Sequence, residues 1–269
     1  MCRQILSEGG RVLLTDLNRE TGERTRSELA GQFGKERVAW THQDVTDKDQ
    51  WRLVWDTAEA FFGGPVEALC NNAGIYETYE STNTDIINVN LLGVTYGTIL
   101  AMEKMSVKQG GRGGLIVQVS SIGGLIFIPA SPLYCAAKTG LLAYVRSHGE
   151  EAHRKSKVRL LAICPLLTDT PLVRGAMEKE TGELTSMYGM RALHPREVAA
   201  GFSKAVRSGL PGSALVIHPA LSFYWPDTSS HVFFWYCAAS RLIMQVSCRV
   251  PAELLQSACR VINCFSIFS

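Results

Sequence analysis

Three polar side chains have the types and the separation expected of a proton-transfer site: Ser121, Tyr134 and Lys138. On a helix, residues four apart lie on one face, so the phenol of Tyr134 and the ammonium of Lys138 would be neighbours. A phenol has an ordinary pKa of about 10, too high for a base near neutral pH. A nearby ammonium lowers that pKa, and the tyrosine could then take a proton from an alcohol.

The tyrosine–lysine spacing is weak support by itself. With 8 tyrosines in the chain, such a pair is expected by chance in roughly a quarter of shuffled sequences. The alternative is a tyrosine packed in a core helix, with the lysine at the rim of that core. The elements that position the three residues must therefore decide between the two interpretations.

The composition is that of a globular protein. The chain has 269 residues, 46% hydrophobic and 19% charged, which suits one large α/β domain. Its net charge of +2 gives no reason to expect a nucleic-acid partner. The first residues, 1–4, lack the charged start and apolar run of a signal peptide, which favours the cytoplasm.

The eight cysteines indicate a reduced compartment and no metal site. Four of them stand alone in segments that are predicted to be buried, where cysteine acts as a small hydrophobe. The other four fall within residues 237–264, without the spacing of zinc ligands. The first group is Cys2, Cys70, Cys135 and Cys164; the second is Cys237, Cys248, Cys259 and Cys264.

Strand-length apolar runs alternate with amphipathic segments of helix length. Continuous Val, Ile and Leu runs are typical of strands buried on both faces, hence of a parallel sheet covered by helices. The alternation predicts a doubly wound, Rossmann-like α/β fold. The predicted strands are 11–16, 37–45, 66–74 (ending in a turn), 115–121, 158–165 and 214–218. The predicted helices are 19–34, 48–62, 84–108, 132–155 and one that Pro195 begins, after a looser stretch at 167–192.

Further motifs fall where predicted strands end, which is where such folds bind ligands. Asn-Asn-Ala-Gly (71–74) follows one strand, and Ser120-Ser121 ends the next. Asn90 lies between them in Asn-Val-Asn-Leu-Leu-Gly, on the long helix. With Tyr-x-x-x-Lys, these motifs occur in the order and spacing of the short-chain dehydrogenase/reductase family, which the chain resembles over about residues 1–220.

The resemblance implies a role for each catalytic residue. Tyr134 would be the base that takes the hydroxyl proton while hydride leaves for a nicotinamide, and Lys138 would lower its pKa and bind the nicotinamide ribose. Ser121, Ser131 and Tyr134 would contact the substrate. Asn90 would hold a water molecule that links Lys138 to solvent. The alternative for Asn90 is a helix-interior amide bonded to neighbouring backbone.

The resemblance also implies an NAD site. Asp16 ends a strand, where its carboxylate can accept the adenosine ribose hydroxyls and repel a 2′-phosphate, with Leu17 beside it. The alternative for Asp16 is a helix N-cap, and both roles could hold together. Asp44 and Val45 resemble the pair that contacts adenine.

The nicotinamide end of that site is expected on two further loops. Asn72-Ala73-Gly74 resembles the turn against the cofactor ribose, where a small residue lets backbone approach closely. Pro165 and Thr170 resemble the loop that holds the nicotinamide amide. The family usually has glycine after that proline, whereas this chain has Leu166.

The front of the chain departs most from the family. Its fingerprint is a first strand and a glycine-rich turn, with the acidic ribose ligand about 20 residues further on. If Asp16 is that acidic residue, the position expected for the glycine-rich turn lies before Met1 of this sequence. Residues 1–8 are predicted to be the tail of the helix that follows that turn, with Gly9 and Gly10 ending it. The glycines at 110–114 lie between the long helix and a strand, which is also the wrong place for a phosphate loop.

The absent strand would be central in the order 3-2-1-4-5-6. We therefore expect a gap of about 10 Å between the strands that end at Asp16 and near Leu69, with two unpaired edges. The backbone amides that cradle a pyrophosphate would be missing as well. The chain is accordingly expected to bind NAD poorly and to be unstable or prone to aggregation.

Residues 221–269 form an apolar C-terminal extension to the domain at 1–220. Its run at 231–240 is half the roughly 20 residues that a membrane span needs, and Arg241 and Arg249 interrupt the apolar sequence beyond that run. The extension could cover the substrate pocket, form a dimer face, lie weakly on a membrane surface or derive from a mis-spliced exon.

The sequence thus predicts an NAD-dependent oxidoreductase. It would convert a secondary alcohol of a lipid-like substrate, such as a hydroxylated fatty acid or prostaglandin, to a ketone, as a homodimer or homotetramer. Stretches 110–121, 132–138 and 158–165 most resemble family members that act on prostaglandins. Two alternatives remain open: a catalytically impaired relic or binding scaffold, and a membrane-associated steroid or retinoid dehydrogenase.

Overall fold

The computed structural model describes residues 1–76, 84–174, 191–220 and 222–225. Within them the strands are β1 (Val12–Asp16), β2 (Val38–His42), β3 (Ala68–Asn71), β4 (Gly114–Val119), β5 (Val158–Pro165), β6 (Ala214–Ile217) and β7 (Phe223–Trp225). The helices are α1 (Cys2–Ser7), α2 (Arg19–Phe33), α3 (Lys48–Phe62), α4 (Asp85–Ile87), α5 (Val94–Met105), α6 (Pro132–Ser156) and α7 (Pro195–Ser208).

The strands form two sheets. β1 and β2 pair with each other in parallel, and a five-stranded sheet has the order β3-β4-β5-β6-β7, parallel except for the β6–β7 pair. Helices connect the successive parallel strands within each sheet, which cannot be joined by a tight turn. The predicted doubly wound α/β fold is confirmed. β7 was not predicted; it adds residues 223–225 to the edge of the sheet beyond β6.

The expected break in the sheet is present, because β1 and β3 share no ladder. α1 precedes β1 and ends where the sequence predicted. The backbone N–H groups of Gly9 and Gly10 close it on the carbonyls of Leu6 and Ile5, at 3.2 and 2.9 Å. Gly9 has φ +94°, a conformation that side chains other than glycine rarely adopt.

The main core lies on β4, β5 and β6, whose inner residues are almost all fully buried. A separate, smaller cluster packs α1 and α2 against β1 and β2, around Leu6, Val12, Leu29 and Val38. At about 25 cal/mol per Å² of buried apolar surface, the larger core contributes most of the stabilisation. The catalytic motifs belong to the larger sheet.

The predicted helix over 84–108 is interrupted. A π-helical segment, Asn88–Gly93, separates α4 from α5 and carries Asn90. Gly93 fits against the loop after β2, because a Cβ there would lie 2.9 Å from the carbonyl oxygen of Val45. By length and composition alone, Asp85–Met105 could cross a membrane. In this fold it packs on α3, α6, β3 and β4, as a core helix does.

Clustering of the backbone contacts divides the chain into two units. The first comprises Met1–Thr181 and Arg191–Pro226, and it contains both sheets. The second comprises Gly182–Met190 and Asp227–Ser269, which lie outside the described residues. The looser stretch at 167–192 and the extension at 221–269 are therefore described only in part.

Candidate active site

The carboxyl ends of β3, β4 and β5 meet at one edge of the larger sheet, and the residues predicted to be catalytic lie there. Ser121 follows β4 in extended backbone and begins a short 3-10 turn, where its Oγ accepts the N–H of Gly123 at 3.1 Å. Its side chain is also hydrogen-bonded to Tyr134. The first two predicted catalytic residues are thus in contact.

Tyr134 lies in the first turn of α6, which Pro132 opens with the φ that a helix requires. Its ring is buried and packs against Tyr76, with ring centroids 4.7 Å apart. A Cβ at Gly123 would come within 3.3 Å of this ring. The phenol is therefore held in one orientation by its surroundings.

Lys138 lies one turn further along α6 and is only 4% exposed. Its Nζ donates to the carbonyl oxygen of Val119 at 2.9 Å and lies 5.6 Å from the centroid of the Tyr134 ring. Ser120 holds the same helix turn, because its Oγ donates to the carbonyl of Lys138 at 3.1 Å. The end of β4 thus anchors both the lysine head group and its backbone.

The pKa of each catalytic group is governed by burial. Burial raises the pKa of Tyr134 to about 12, although the hydrogen bond from Ser121 acts in the opposite direction. Burial also lowers the pKa of Lys138 to about 8, against the influence of the Cys164 thiol. The direction for Tyr134 is opposite to the lowering expected from Lys138, because loss of hydration is the largest influence on the phenol pKa.

Asn90 is completely buried and acts on the turn that follows β3. Its Oδ1 accepts the N–H of Ile75 and its Nδ2 donates to the carbonyl of Ile75, both at 2.8 Å. Both amide atoms thus bond to the backbone of one residue 15 positions away, which agrees with the alternative of a buried amide bonded to backbone. The expected water link from Lys138 to solvent stays a prediction. Beside it, a Cβ at Gly74 would lie 3.2 Å from Asn90 Oδ1 and 3.6 Å from Lys138 Nζ.

Ser131 precedes α6 and is fully buried. Its Oγ makes no capping bond to the helix and has no hydrogen-bond partner among the described groups. An unsatisfied hydroxyl three residues before Tyr134 is compatible with a substrate contact. Its predicted substrate role remains a prediction.

The predicted adenosine residues lie on the smaller sheet. Asp16 ends β1 and is exposed, and its Oδ1 accepts the N–H of Asn18 at 2.8 Å. Asn18, not Asp16, caps α2, because its Oδ1 accepts the N–H of Thr21 at 3.0 Å. The N-cap alternative for Asp16 is therefore wrong. Leu17 exposes 64% of its surface next to that carboxylate.

Asp44 and Val45 follow β2, which ends earlier than predicted. The carboxylate of Asp44 accepts the N–H and the hydroxyl of Thr46, at 2.9 and 2.7 Å. The carbonyl of Val45 accepts the indole N–H of Trp51 at 2.8 Å. These local bonds fix the loop that the resemblance assigns to adenine.

Pro165 ends β5 and pairs with Ile217 of β6. Leu166, which replaces the usual glycine, continues this pairing, since its N–H donates to the carbonyl of Ile217 at 3.1 Å and its side chain is buried. Thr170 follows in a turn, where its Oγ1 donates to the carbonyl of Thr168 at 3.3 Å. The leucine is thus accommodated by the sheet edge.

Sequence reasoning missed the residues that support the site from behind. The backbone of Ile75 donates to and accepts from the Asn90 amide, and Thr98 and Gln118 form a buried polar cluster with Asn71. One signal could have revealed the cluster: Gln118 is the single polar residue in the apolar run of β4. Among the described residues, no three His, Cys, Asp or Glu side chains come together as a metal site.

Comparison with known proteins agrees with this geometry. A family profile described as short chain dehydrogenase matches residues 1–181. The 15-hydroxyprostaglandin dehydrogenase [NAD(+)] of Homo sapiens is 35% identical over 243 residues, covering 85% of this chain and 89% of the relative. The Mus musculus protein of the same name is 32% identical over 237 residues, covering 83% and 86%.

Solved structures show the same fold. Levodione reductase aligns with a TM-score of 0.71 and 25% identity, over 80% of this chain and 89% of that one. A variant of actinorhodin polyketide ketoreductase with NADPH aligns with a TM-score of 0.72 and 25% identity, over 82% and 90%. The family expected from the motifs is confirmed. On its motifs, its site geometry and its relatives, the chain belongs to the short-chain dehydrogenase family of oxidoreductases.

Proposed function

We propose that the protein is an NAD-dependent dehydrogenase that oxidises a secondary alcohol of a lipid-like substrate to a ketone, as 15-hydroxyprostaglandin dehydrogenases are named for doing. The observation that carries the proposal is the meeting of Ser121, Tyr134 and Lys138 at the carboxyl edge of the sheet. The similarity to 15-hydroxyprostaglandin dehydrogenases [NAD(+)] supports the lipid-like alcohol and the NAD cofactor.

The chain's residues fit the two ends of a nicotinamide dinucleotide. At the nicotinamide end, Gly74 has no side chain, and a Cβ there would come within 3.6 Å of Lys138 Nζ. This leaves room for a ribose against Asn72-Ala73-Gly74, with Pro165 and Thr170 at the adjacent strand end. The bound cofactor supplies the hydride acceptor.

At the adenosine end, the exposed carboxylate of Asp16 suits ribose hydroxyls, with Leu17, Asp44 and Val45 around the adenine. The charge of Asp16 disfavours a 2′-phosphate, which supports NAD over NADP. The related solved structures include one with NADPH, so this preference belongs to the proposal.

The chain's own residues supply the proton chemistry. Ser121 Oγ holds the substrate oxygen, and the phenolate of Tyr134 takes its proton. Because burial raises the pKa of Tyr134 to about 12, positive charge next to the ring must favour the phenolate during turnover. The ammonium of Lys138, fixed by Val119, is one such charge. Asn90 contributes by holding Ile75 and, through it, the turn beside the lysine.

Turnover of a panel of alcohols tests the proposal. Prostaglandins, hydroxy fatty acids, steroids and retinoids are each offered with NAD or NADP, and reduced cofactor is followed by absorbance. We expect NADH to form with a prostaglandin or a hydroxy fatty acid, and Tyr134→Phe is the matched control. Binding of NADH without turnover of any alcohol would contradict the proposed activity.

The second candidate is a binding scaffold with impaired cofactor binding. It is favoured by one observation: β1 and β3 share no ladder at the centre of the fold. A fluorescence titration with NADH separates the candidates. Saturable binding at micromolar concentration supports the dehydrogenase, and no binding up to millimolar concentration supports the scaffold.

A further inference from the structure

Three polar side chains are buried together behind the active site. Asn71 ends β3, Gln118 lies in β4 and Thr98 lies in α5, and each is at most 3% exposed. Asn71 and Gln118 are direct partners in the parallel β3–β4 ladder. Their side chains therefore emerge on the same face of the sheet, where Thr98 lies between α5 and that face.

The hydroxyl of Thr98 is the centre of this cluster. It donates to the carbonyl of Val94 at 2.7 Å and accepts from Nδ2 of Asn71 at 3.1 Å. It also accepts a short hydrogen bond from Nε2 of Gln118. The amide of Asn71 donates to Val94 as well, at 3.1 Å. A hydroxyl has one donor and two acceptor positions, and all three are filled in Thr98.

Stability alone is a poor explanation for the cluster. The amide oxygens of Asn71 and Gln118 are buried and receive no hydrogen bond from the described groups. A buried polar atom without a hydrogen bond lowers the stability of the fold by about 1–3 kcal/mol, and apolar side chains of similar shape would avoid this penalty. The cluster is therefore better explained by a need to hold the neighbouring strand ends in fixed positions.

Each member of the cluster adjoins a part of the catalytic site. Asn71 directly precedes the turn Asn72-Ala73-Gly74. Gln118 directly precedes Val119, whose carbonyl receives the Nζ of Lys138 at 2.9 Å. A shift of either strand end would move the groups that surround the lysine.

Besides the ends of β3 and β4, the cluster also contacts the residue after the π-helical segment. Val94, which receives two bonds from the cluster, directly follows Asn88–Gly93. That segment carries Asn90, the amide that fixes Ile75. The hydroxyl of Thr98 thus joins the three segments that meet around Lys138.

We propose that Thr98 and Gln118 are positioning residues for the dehydrogenase reaction, which hold β3, β4 and the start of α5 so that the Val119 carbonyl and Asn90 stay in place around Lys138. This inference rests on the proposed function for its effect on turnover. Its structural part, the placement of Lys138 by the cluster, is independent of any substrate.

The test compares Thr98→Val with Thr98→Ser. Valine has nearly the shape of threonine but removes the hydroxyl, whereas serine keeps the hydroxyl and removes a methyl group. A purely structural role in packing predicts that serine is the more damaging change, because it leaves a small cavity. The positioning role predicts the opposite order in the readouts that report on Lys138.

The first readout is the titration of Lys138 by ¹³C NMR of lysine-labelled protein, assigned with Lys138→Arg. The titratable groups facing this amine in the described part of the chain are Tyr134 on its own helix and Cys164 on β5. Both remain in the two variants. A weaker bond to the Val119 carbonyl destabilises the ammonium, so Thr98→Val should titrate at lower pH than wild type and Thr98→Ser should match wild type.

The second readout is turnover. We expect Thr98→Val to lower kcat about 10- to 100-fold with little change in KM, and Thr98→Ser to keep most of kcat. An unchanged Lys138 titration in Thr98→Val overturns the inference, whether or not the protein turns over any alcohol. A shifted titration in a protein without dehydrogenase activity supports the positioning of Lys138 and contradicts the proposed function instead.

Discussion

The two sheets of the molecule differ in how they hold their functional residues. In the five-stranded sheet, β4, β5 and β6 are almost wholly buried, and the amine of Lys138 is fixed by the carbonyl of Val119 in β4. In the β1–β2 pair, only Val12 and Val38 are fully buried, and Asp16 and Leu17 are exposed. The predicted adenosine residues of the β1–β2 pair are held by hydrogen bonds within local turns and not by packing in a core.

The predicted catalytic geometry is formed here without a ladder between β1 and β3. Ser121, Tyr134 and Lys138 are positioned by elements that all belong to the larger sheet and its helices. The residues predicted to bind adenosine lie on the smaller sheet, whereas the predicted nicotinamide contacts lie on the larger sheet with the proton chemistry. Binding of the adenosine half can therefore be perturbed separately from proton transfer, and four experiments use this separation.

The largest effect is expected from Tyr134→Phe. The ring keeps its packing against Tyr76, but the proton-transfer group is lost, so turnover should fall by about 10²–10⁴-fold. NADH affinity, measured by fluorescence titration, should stay within a few-fold of wild type, because the adenosine residues lie in the other region. A parallel loss of affinity would show that the two regions are not separable.

Hydrogen exchange compares the two sheets directly. We expect amide hydrogens of β1 to exchange at least about 100-fold faster than those of β5, equivalent to about 3 kcal/mol in opening free energy. The reason is that β1 is paired on one side only, whereas β5 lies between β4 and β6. Equal protection, measured by mass spectrometry of peptides from both strands, would mean that the sheets unfold as one unit.

The buried amine of Lys138 makes stability depend on pH. Its pKa falls from 10.5 in the unfolded chain to about 8 in the fold. As pH rises between these values, the unfolded state still binds a proton that the folded state has released. The contribution of Lys138 to the free energy of unfolding should thus rise by about 3 kcal/mol across that window and be lost as pH falls through 8.

Urea unfolding of wild type and Lys138→Met at several pH values measures this contribution as the difference between the two proteins. Subtraction is needed because burial raises the pKa of Cys70 and Cys164 to about 12. These thiols give the opposite slope in both proteins, since a raised pKa favours the folded state only at lower pH. A difference that stays flat from pH 8 to 10.5 would show that the amine is hydrated in solution.

The smallest effect is expected from Asp16→Asn, which acts on the exposed region alone. Asparagine keeps an oxygen that can accept the Asn18 N–H but loses the charge that repels a 2′-phosphate. At a hydrated site this charge is worth about 1 kcal/mol, so the preference for NAD over NADP should weaken about five- to tenfold. An unchanged ratio of kcat/KM values for the two cofactors would remove Asp16 from the proposed site.

Patterns that follow from local rules could be predicted from the sequence. α3 and β5 were predicted with the boundaries that they have, because an Asp47 cap begins the helix and a continuous apolar run defines the strand. The break beside β1 could also be predicted, since it follows from strand order. The motif Tyr-x-x-x-Lys, with its neighbours, predicted a group of residues that the structure brings together, Ser121, Tyr134 and Lys138.

Features that depend on three-dimensional packing could not be predicted. The π-helical turn at Asn88–Gly93 has no composition that separates it from an α-helix. The phenol pKa moved in the unexpected direction because burial is a property of the whole fold, not of the spacing of Tyr134 and Lys138. The partners of Gln118 and Asn90 lie 20 and 15 residues away, in other elements.

The pair of hydrogen bonds between Asn90 and Ile75 has a consequence for how the chain can change length. Asn90 bonds both backbone groups of Ile75, so the turn after β3 and the π-helical segment are tied directly to each other. Doubling the length of chain between two such tied points costs only about 0.6 kcal/mol of closure entropy. A longer connection between Ile75 and Asn90 should therefore leave the predicted catalytic edge intact.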